Sequence, residues 1–276
     1  MNAISKTLGI SRSNLSGRLN SLNKARAKRY FKAEDTDILS SIRTLCALRS
    51  SYGYRRVTAI LNRQREVNGL ELVNHKRIYR IMRHHDLLLQ KYTGKSSRTH
   101  DGKVVTLASN MRWSSDTFNI KCFNGEKVEV SFCIDTCDRE IISYVATSAA
   151  TNGQMIRDLI ALSFEARFGN CEHLPSNIEW LSDNGPPYIA HATRKFGESL
   201  GFIMCNTPSY SPESNGVSEA FVKTFKRDYV YLNELSSASY VISQLELWFD
   251  DYNENAPHKG LKMKSPREFR RAYLTN

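Results

Sequence analysis

Residues 113–147 read WSSDTFNIKCFNGEKVEVSFCIDTCDREIISYVAT, and three strands can be cut from them. Trp113 to Phe123 forms the first. Asn124-Gly125 ends it, a dipeptide suited to the positive-φ positions of a tight hairpin. Lys127 to Asp135 alternates, with Val128, Val130, Phe132 and Ile134 on one face, which predicts a second strand. Glu140 to Thr147 gives a third. Downstream the period changes. Asn152 to Phe168 places Ile156, Leu159, Ile160 and Phe164 on one helical face. Ile178 to Leu181 is a short buried strand, Ala190 to Leu200 a helix and Phe202 to Asn206 a short strand. Glu213 to Leu232 and Ala238 to Tyr252 are helices. Three meandering strands followed by alternating helix and strand predict an α/β fold, a mixed sheet with helices on its faces.

Upstream of this block the pattern is helical. Asp35 to Arg49 carries Ile38, Ile42 and Leu45 on one face, and Ser51-Tyr-Gly-Tyr54 breaks it. Arg55 to Arg65 turns Val57, Ile60 and Leu61 inward. After the Asn68-Gly69 turn, Asn74 is a good N-cap for a third helix running to about His84. That helix has an apolar stripe, Ile78, Ile81 and Met82, beside Lys76, Arg77, Arg80, Arg83 and His84. A final helix with one basic face is what a major-groove reader needs, and Lys76, Arg77, Arg80 and Arg83 are the candidate DNA contacts. Nearer the N-terminus, Ser5 to Leu22 reads as two short helical pieces around Gly9-Ile10-Ser11, and Lys24 to Lys32 as a basic linker or exposed helix.

Charge follows the same division. Residues 1–112 carry 23 Lys and Arg against 7 Asp and Glu, residues 113–276 carry 16 against 21, and the whole chain is +11. A basic arm joined to a domain of different work points to a polyanion, with nucleic acid first. The six cysteines are scattered without a C-x-x-C pair, so free thiols are expected rather than a zinc site. No run approaches the ~20 apolar residues of a membrane span, and no apolar segment marks a secretory signal. A cytoplasmic, nucleoid-associated protein is expected, without a membrane partner. The boundaries read as a basic segment 1–33, a helical domain 34–90, a linker 91–110 and an α/β domain 111–276 with a helical tail.

Three acidic residues stand where a fold can gather them. Asp116 lies within the first strand, Asp183 follows the strand ending at Leu181, and Glu219 sits near the start of a long helix. Singly, each has a plain reading: a hydrogen-bonded strand acid, an Asp-Asn-Gly turn, a favourable charge at a helix N-terminus. Together they suit phosphodiester chemistry. Two Mg²⁺ ions ~4 Å apart activate an attacking oxygen and stabilise a leaving one, and Mg²⁺ prefers hard oxygen ligands. Asp116 would bridge both ions, with Asp183 and Glu219 each completing one. Lys223 and Lys226 lie at i+4 and i+7 from Glu219, on its helix face. Asp135 and Arg139 are read as strand-end or supporting groups.

The motifs resemble those of the OrfB-type transposases of bacterial insertion sequences, relatives of retroviral integrases. Tyr52-Gly-Tyr-Arg-Arg56 and Asn74-His-Lys-Arg-Ile-Tyr-Arg-Ile-Met82 resemble the family's helix-turn-helix. Trp113-x-x-Asp116, Ser182-Asp-Asn-Gly185 and Ser211-Pro-Glu-Ser-Asn-Gly-Val-Ser-Glu219 resemble its three acidic motifs. Thirty-five residues lie between Asp183 and Glu219, matching the family's D-35-E spacing. Tyr252-Asn253, Pro257-His258, Leu261 and Ser265-Pro266 resemble its tail. Thr117-Phe118 and Ala256 depart from the usual residues without removing a carboxylate.

The resemblance implies an RNase H-like α/β core behind an all-helical helix-turn-helix domain. It implies Mg²⁺-dependent nicking of element ends and 3′-hydroxyl strand transfer, with Mn²⁺ able to substitute, and it makes Lys223 and Lys226 the candidates to hold phosphates of the element end. Double-stranded DNA, a homo-oligomer at synapsis and an upstream product, often fused by frameshift, are the implied partners. The start at Met before a short basic segment is read as the downstream half of such a pair. Two other readings stand beside it: a DNA-binding regulator on an inert core, and a nuclease of RNA–DNA hybrids.

Overall fold

The computed structural model describes residues 2–23, 35–90, 106–169, 171–207 and 215–274. The expected basic stretch 24–32, most of the 91–110 linker and most of the loop before Glu219 lie outside them. Contacts divide the chain into two units, Met1–Thr44 and Leu45–Asn276.

In the first unit, α1 (Asn2–Leu8) and α2 (Arg12–Asn23) flank Gly9 at φ +61°. That left-handed conformation favours glycine, and Ser5 Oγ donates to the Ile10 carbonyl at 2.6 Å across the turn. The two short pieces expected around Gly9-Ile10-Ser11 are therefore present. α3 (Asp35–Leu48) starts in this unit, with Ile38 and Ile42 buried, and runs past its boundary at Thr44 to end in the second unit, where Leu45 is buried.

The second unit begins with a helical pair. α4 (Tyr54–Val67) buries Val57 and Leu61, and α5 (His75–His84) buries Ile78, Ile81 and Met82. Asn74 caps α5 by accepting from the Lys76 N–H at 2.9 Å. Asn62 of α4 ties the pair, donating to the Val73 carbonyl and accepting from its N–H.

The remainder is a five-stranded sheet in the order β3-β2-β1-β4-β5. β1 (Arg112–Lys121), β2 (Lys127–Asp135) and β3 (Ile141–Thr147) form an antiparallel meander. β4 (Ile178–Ser182) joins β1 in parallel, and β5 (Phe202–Asn206) joins β4 in parallel. Gly125, at φ +88°, makes the turn between β1 and β2.

Helices cover both faces, so the central strands are buried on both sides. One face packs Phe118, Ile120, Val128, Val130, Phe132 and Ile134 against α9 (Gly216–Asp228) and α10 (Ala238–Asn255). Phe221, Phe225 and Phe249 supply the helical side. The other face packs Trp113, Cys133, Ile178 and Trp180 against α6 (Gly153–Phe168). The short α7 (Pro186–Ile189) and α8 (His191–Ser199) complete that layer. α8 approaches β5 so closely that a Cβ on Gly197 would lie 2.3 Å from the Met204 sulfur. α11 (Pro266–Leu274) ends the chain's described part.

Two elements differ from the sequence reading. α9 stops at Asp228, after which Val230–Leu232 is a 3₁₀ turn, so the single helix expected from Glu213 to Leu232 ends earlier; its expected start at Glu213 lies outside the described residues. α7 occupies residues to which no element was assigned, its fixed proline φ suiting a helix start. α11 is a helix within the tail that was read as helical.

Candidate active site

Strand pairing brings the first two acids together. β1 and β4 run parallel with Ser114 opposite Leu181 and Ser115 opposite Ser182. Asp116 and Asp183 are the next residues after that last pair, and the Asp183 charge reaches Asp116. Asp116 shares its side of β1 with Phe118 and Ile120, the side that α9 covers. Glu219 lies in the first turn of α9. All three carboxylates are only partly exposed.

Each is held by local bonds. Asp116 Oδ1 accepts from the Thr117 N–H at 2.7 Å. Asp183 Oδ1 accepts from the Gly185 N–H at 3.0 Å, which makes Asp-Asn-Gly a turn in its own right. The Asp183 carbonyl accepts from Asn206 Nδ2 at 3.1 Å, and Asn206 Oδ1 accepts from Arg194 at 3.0 Å. The start of α9 is latched to β1. Ser218 Oγ donates to Ser114 Oγ at 2.9 Å, and Ser114 Oγ donates to Asn215 Oδ1 at 2.7 Å. Asn215 Nδ2 reaches Asp116 Oδ2 at 3.5 Å.

The electrostatics register the gathering. The Asp116 carboxyl is pushed up to about 6, chiefly by burial, against the lowering effect of the Thr117 bond; the charges of Asp183 and Glu219 raise it further. A buried carboxylate beside two others favours whatever supplies positive charge. Among the described residues, no group of three or more His, Cys, Asp or Glu is drawn close enough to hold a metal ion as it stands. The three acids feel one another without converging on a single point. Their donor set is nonetheless all carboxylate oxygen, which fits a hard divalent cation.

The basic candidates fall in two places. Lys223 is exposed on α9 one turn beyond Glu219. Lys226 is half-buried, its ammonium 5.6 Å from the centre of the Phe118 ring, and burial lowers its pKa. On α5, Lys76, Arg80 and Arg83 are exposed and Arg77 is partly so. Asp135 ends its strand by accepting from the main chain of Asn110, Cys137 and Asp138. Ser114, Ser218 and Asn206 were not singled out from sequence. The one available signal was a pair of small polar residues, Ser114-Ser115, inside a buried strand just before an acid.

A mixed five-stranded sheet with the first acid on its central strand, the second on the parallel neighbour and the third on a covering helix defines an RNase H-like core of the integrase type. Residues 107–212 and 201–266 match integrase core domain families, and residues 32–95 match an HTH-like domain. Transposase InsD for insertion element IS2A/D/F/H/I/K of Escherichia coli is 42% identical over 252 residues, covering 90% of this chain and 83% of that protein. Transposase InsD for insertion element IS2-9 of Escherichia coli K12 is likewise 42% identical, covering 90% and 81%. The chain belongs to this family of insertion-element transposases. A chain in the structure of the simian T-cell lymphotropic virus intasome in complex with PP2A regulatory subunit B56 gamma shares the fold. Its TM-score is 0.50 at 17% identity, covering 83% of this chain and 73% of that one.

Proposed function

We propose that this chain is a DNA transposase that nicks the ends of its own element and joins the freed 3′-hydroxyl to a target phosphate. Asp116, Asp183 and Glu219 would hold divalent metal, Mg²⁺ or Mn²⁺. The observation that carries the reading is the parallel pairing of β1 with β4, which runs up to the residues just before Asp116 and Asp183, on a sheet whose face is covered by α9, the helix that carries Glu219. The Asp116 carboxyl, raised chiefly by burial and further by the Asp183 and Glu219 charges, supports it, since a desolvated acid beside two others gains from a cation. The bound metal supplies Lewis-acid activation of the attacking oxygen and charge stabilisation of the leaving one.

The protein's own groups do the rest. The Thr117 and Gly185 bonds orient the Asp116 and Asp183 carboxylates, and Asn206 holds the Asp183 main chain. Lys223 faces solvent on the same helix as Glu219, suited to a phosphate of the bound end. The exposed cations of α5 suit a grooved duplex. Two ends must meet, so the active form is a dimer or larger. Full activity is expected with the upstream product present. Asp183→Asn should abolish both nicking and strand transfer on end duplex in Mg²⁺ while binding the duplex as the wild type does. Unchanged nicking by that variant would sink the reading. Equal cutting of RNA–DNA hybrids and end duplex would favour a general nuclease instead.

A further inference from the structure

Three arginines of the helical pair and its lead-in face the integrase core rather than solvent. Arg49, Arg56 and Arg63 stand seven residues apart, close to two helical turns, so Arg56 and Arg63 share one face of α4. Arg49 donates through both terminal nitrogens to both carboxylate oxygens of Asp251 on α10, at 2.6 and 2.5 Å. Arg56 donates to Asp228 at 2.7 Å, and its guanidinium lies 3.7 Å from the centre of the Tyr52 ring. Asp228 is buried and is the last residue of α9. Arg63 pairs with Glu268 at 2.5 Å and donates to the carbonyls of Asn255 and Met263, both at 3.0 Å. Tyr229 closes the row, donating to Asp251 at 2.7 Å.

Forked guanidinium contacts of this kind fix orientation as well as distance. Their placement matters because of what each partner carries. α4 holds α5 through Asn62 and through Tyr54, whose ring meets those of His75 and Tyr79. α9 carries Asp228 at one end and Glu219 nine residues earlier, about 14 Å along the helix. Basic helix and carboxylate are thus joined through one row of ion pairs.

We propose that Arg49, Arg56 and Arg63 are positioning residues. They seat α4 and α5 on the core, Arg56 at the far end of α9, Arg49 on α10 and Arg63 on α11, and so set how far from the base pairs held by α5 the phosphodiester is cut. The inference rests on the function proposed above. Its test uses the full chain, with the upstream product in every arm, on duplex carrying the element's own end, each product end mapped to the nucleotide. The variants are Arg49→Asp, Arg63→Ala and the swap Arg49→Asp with Asp251→Arg.

Wild type should cut at one position. Arg49→Asp should spread the cut over neighbouring positions and lower the rate at the original one about 10- to 100-fold, the cost of a misplacement near 1 Å. The swap should restore the single position. Arg63→Ala should spread the cut as well, and it carries the test if Arg49→Asp fails to fold. If the folded single variants cut only where the wild type does, at whatever rate, the contacts merely hold the fold and the inference is overturned alone. A wild type that does not cut overturns the proposed function and this inference with it.

Discussion

Asp116 loses water on folding and faces two further carboxylates, so its charge opposes the folded state. Its carboxyl rises from an ordinary value near 4 to about 6. For an acid whose folded value is raised, the penalty is absent below the unfolded value, grows between the two and is complete above about 6. Asp116→Asn should therefore melt at higher temperature than wild type at pH 7.5. The gain is of order 1–3 kcal/mol, discounted for partial exposure, and should vanish near pH 4. Thermal denaturation at both pH values reads this directly. An asparagine variant no more stable at pH 7.5 would show that the cluster's repulsion is already relieved by solvent. An acid that lowers stability fits a site shaped for a cation rather than for the bare fold.

At the scale of elements, α9 is the one whose placement decides the site. Its first turn is fixed through buried Ser218 and Ser114 and through Asn215. Ser218→Ala leaves the Ser114 hydroxyl short of a partner, which should cost about 1 kcal/mol in stability. It should lower the nicking rate more than that loss of folded protein explains, because Glu219 sits on the next residue. Nicking that falls only in proportion to the folded fraction would make the latch structural. α5 has a separate signature: Arg80→Ala should weaken duplex binding and reduce the slope of log affinity against log salt by about one. Binding isotherms at several salt concentrations would measure it, and an unchanged slope would remove Arg80 from the phosphate contacts.

These elements were unequally legible in the sequence. β2 was readable residue for residue, because period two in Val128, Val130, Phe132 and Ile134 has no helical counterpart. Asn74 marked the start of α5 because its side chain alone can cap there. The end of α9 was misplaced because nothing in Tyr229, Val230, Tyr231 and Leu232 marks a helix stop. α11 carried a start signal, Ser265 and Glu268, which exchange bonds as a capping box, Ser265 N–H to Glu268 and Glu268 N–H to Ser265. Of the candidate site, the three acids were proposed from their placement on strand, strand end and helix start and from the D-35-E resemblance. Asn206 and Ser218 were not, since their partners are distant in sequence and known only from the strand order.

Over the whole molecule, the charge asymmetry acquires a second meaning. A +16 half joined to a −5 half reads as a DNA-binding arm, yet Arg49, Arg56 and Arg63 pair with acids of the core. Part of the basic excess is thus internal complementarity, and net charge alone overstates the cations free for phosphate. The deepest such pairing is Arg167 of α6. It donates to Glu140 at 2.9 Å and stands 3.6 Å from both Asp135 and Asp138, all three acids buried at the β2–β3 turn. Glu140 also takes Arg267 and Arg270 from α11, both at 3.0 Å. Burial and the neighbouring Asp135 charge raise the Asp138 carboxyl, so this knot is stable only while its central cation is present. Removing one partner of a buried ionic group leaves the others uncompensated, typically at about 3–5 kcal/mol. Arg167→Met, close in length but uncharged, should therefore lower the free energy of unfolding in urea by about that amount. Adding Asp138→Asn should recover part of it, since the two sites share one network and their effects will not add. An Arg167→Met protein within about 1 kcal/mol of wild type would mean that water or proton uptake already neutralises the acids, and that α11 is held to the core by packing rather than by charge.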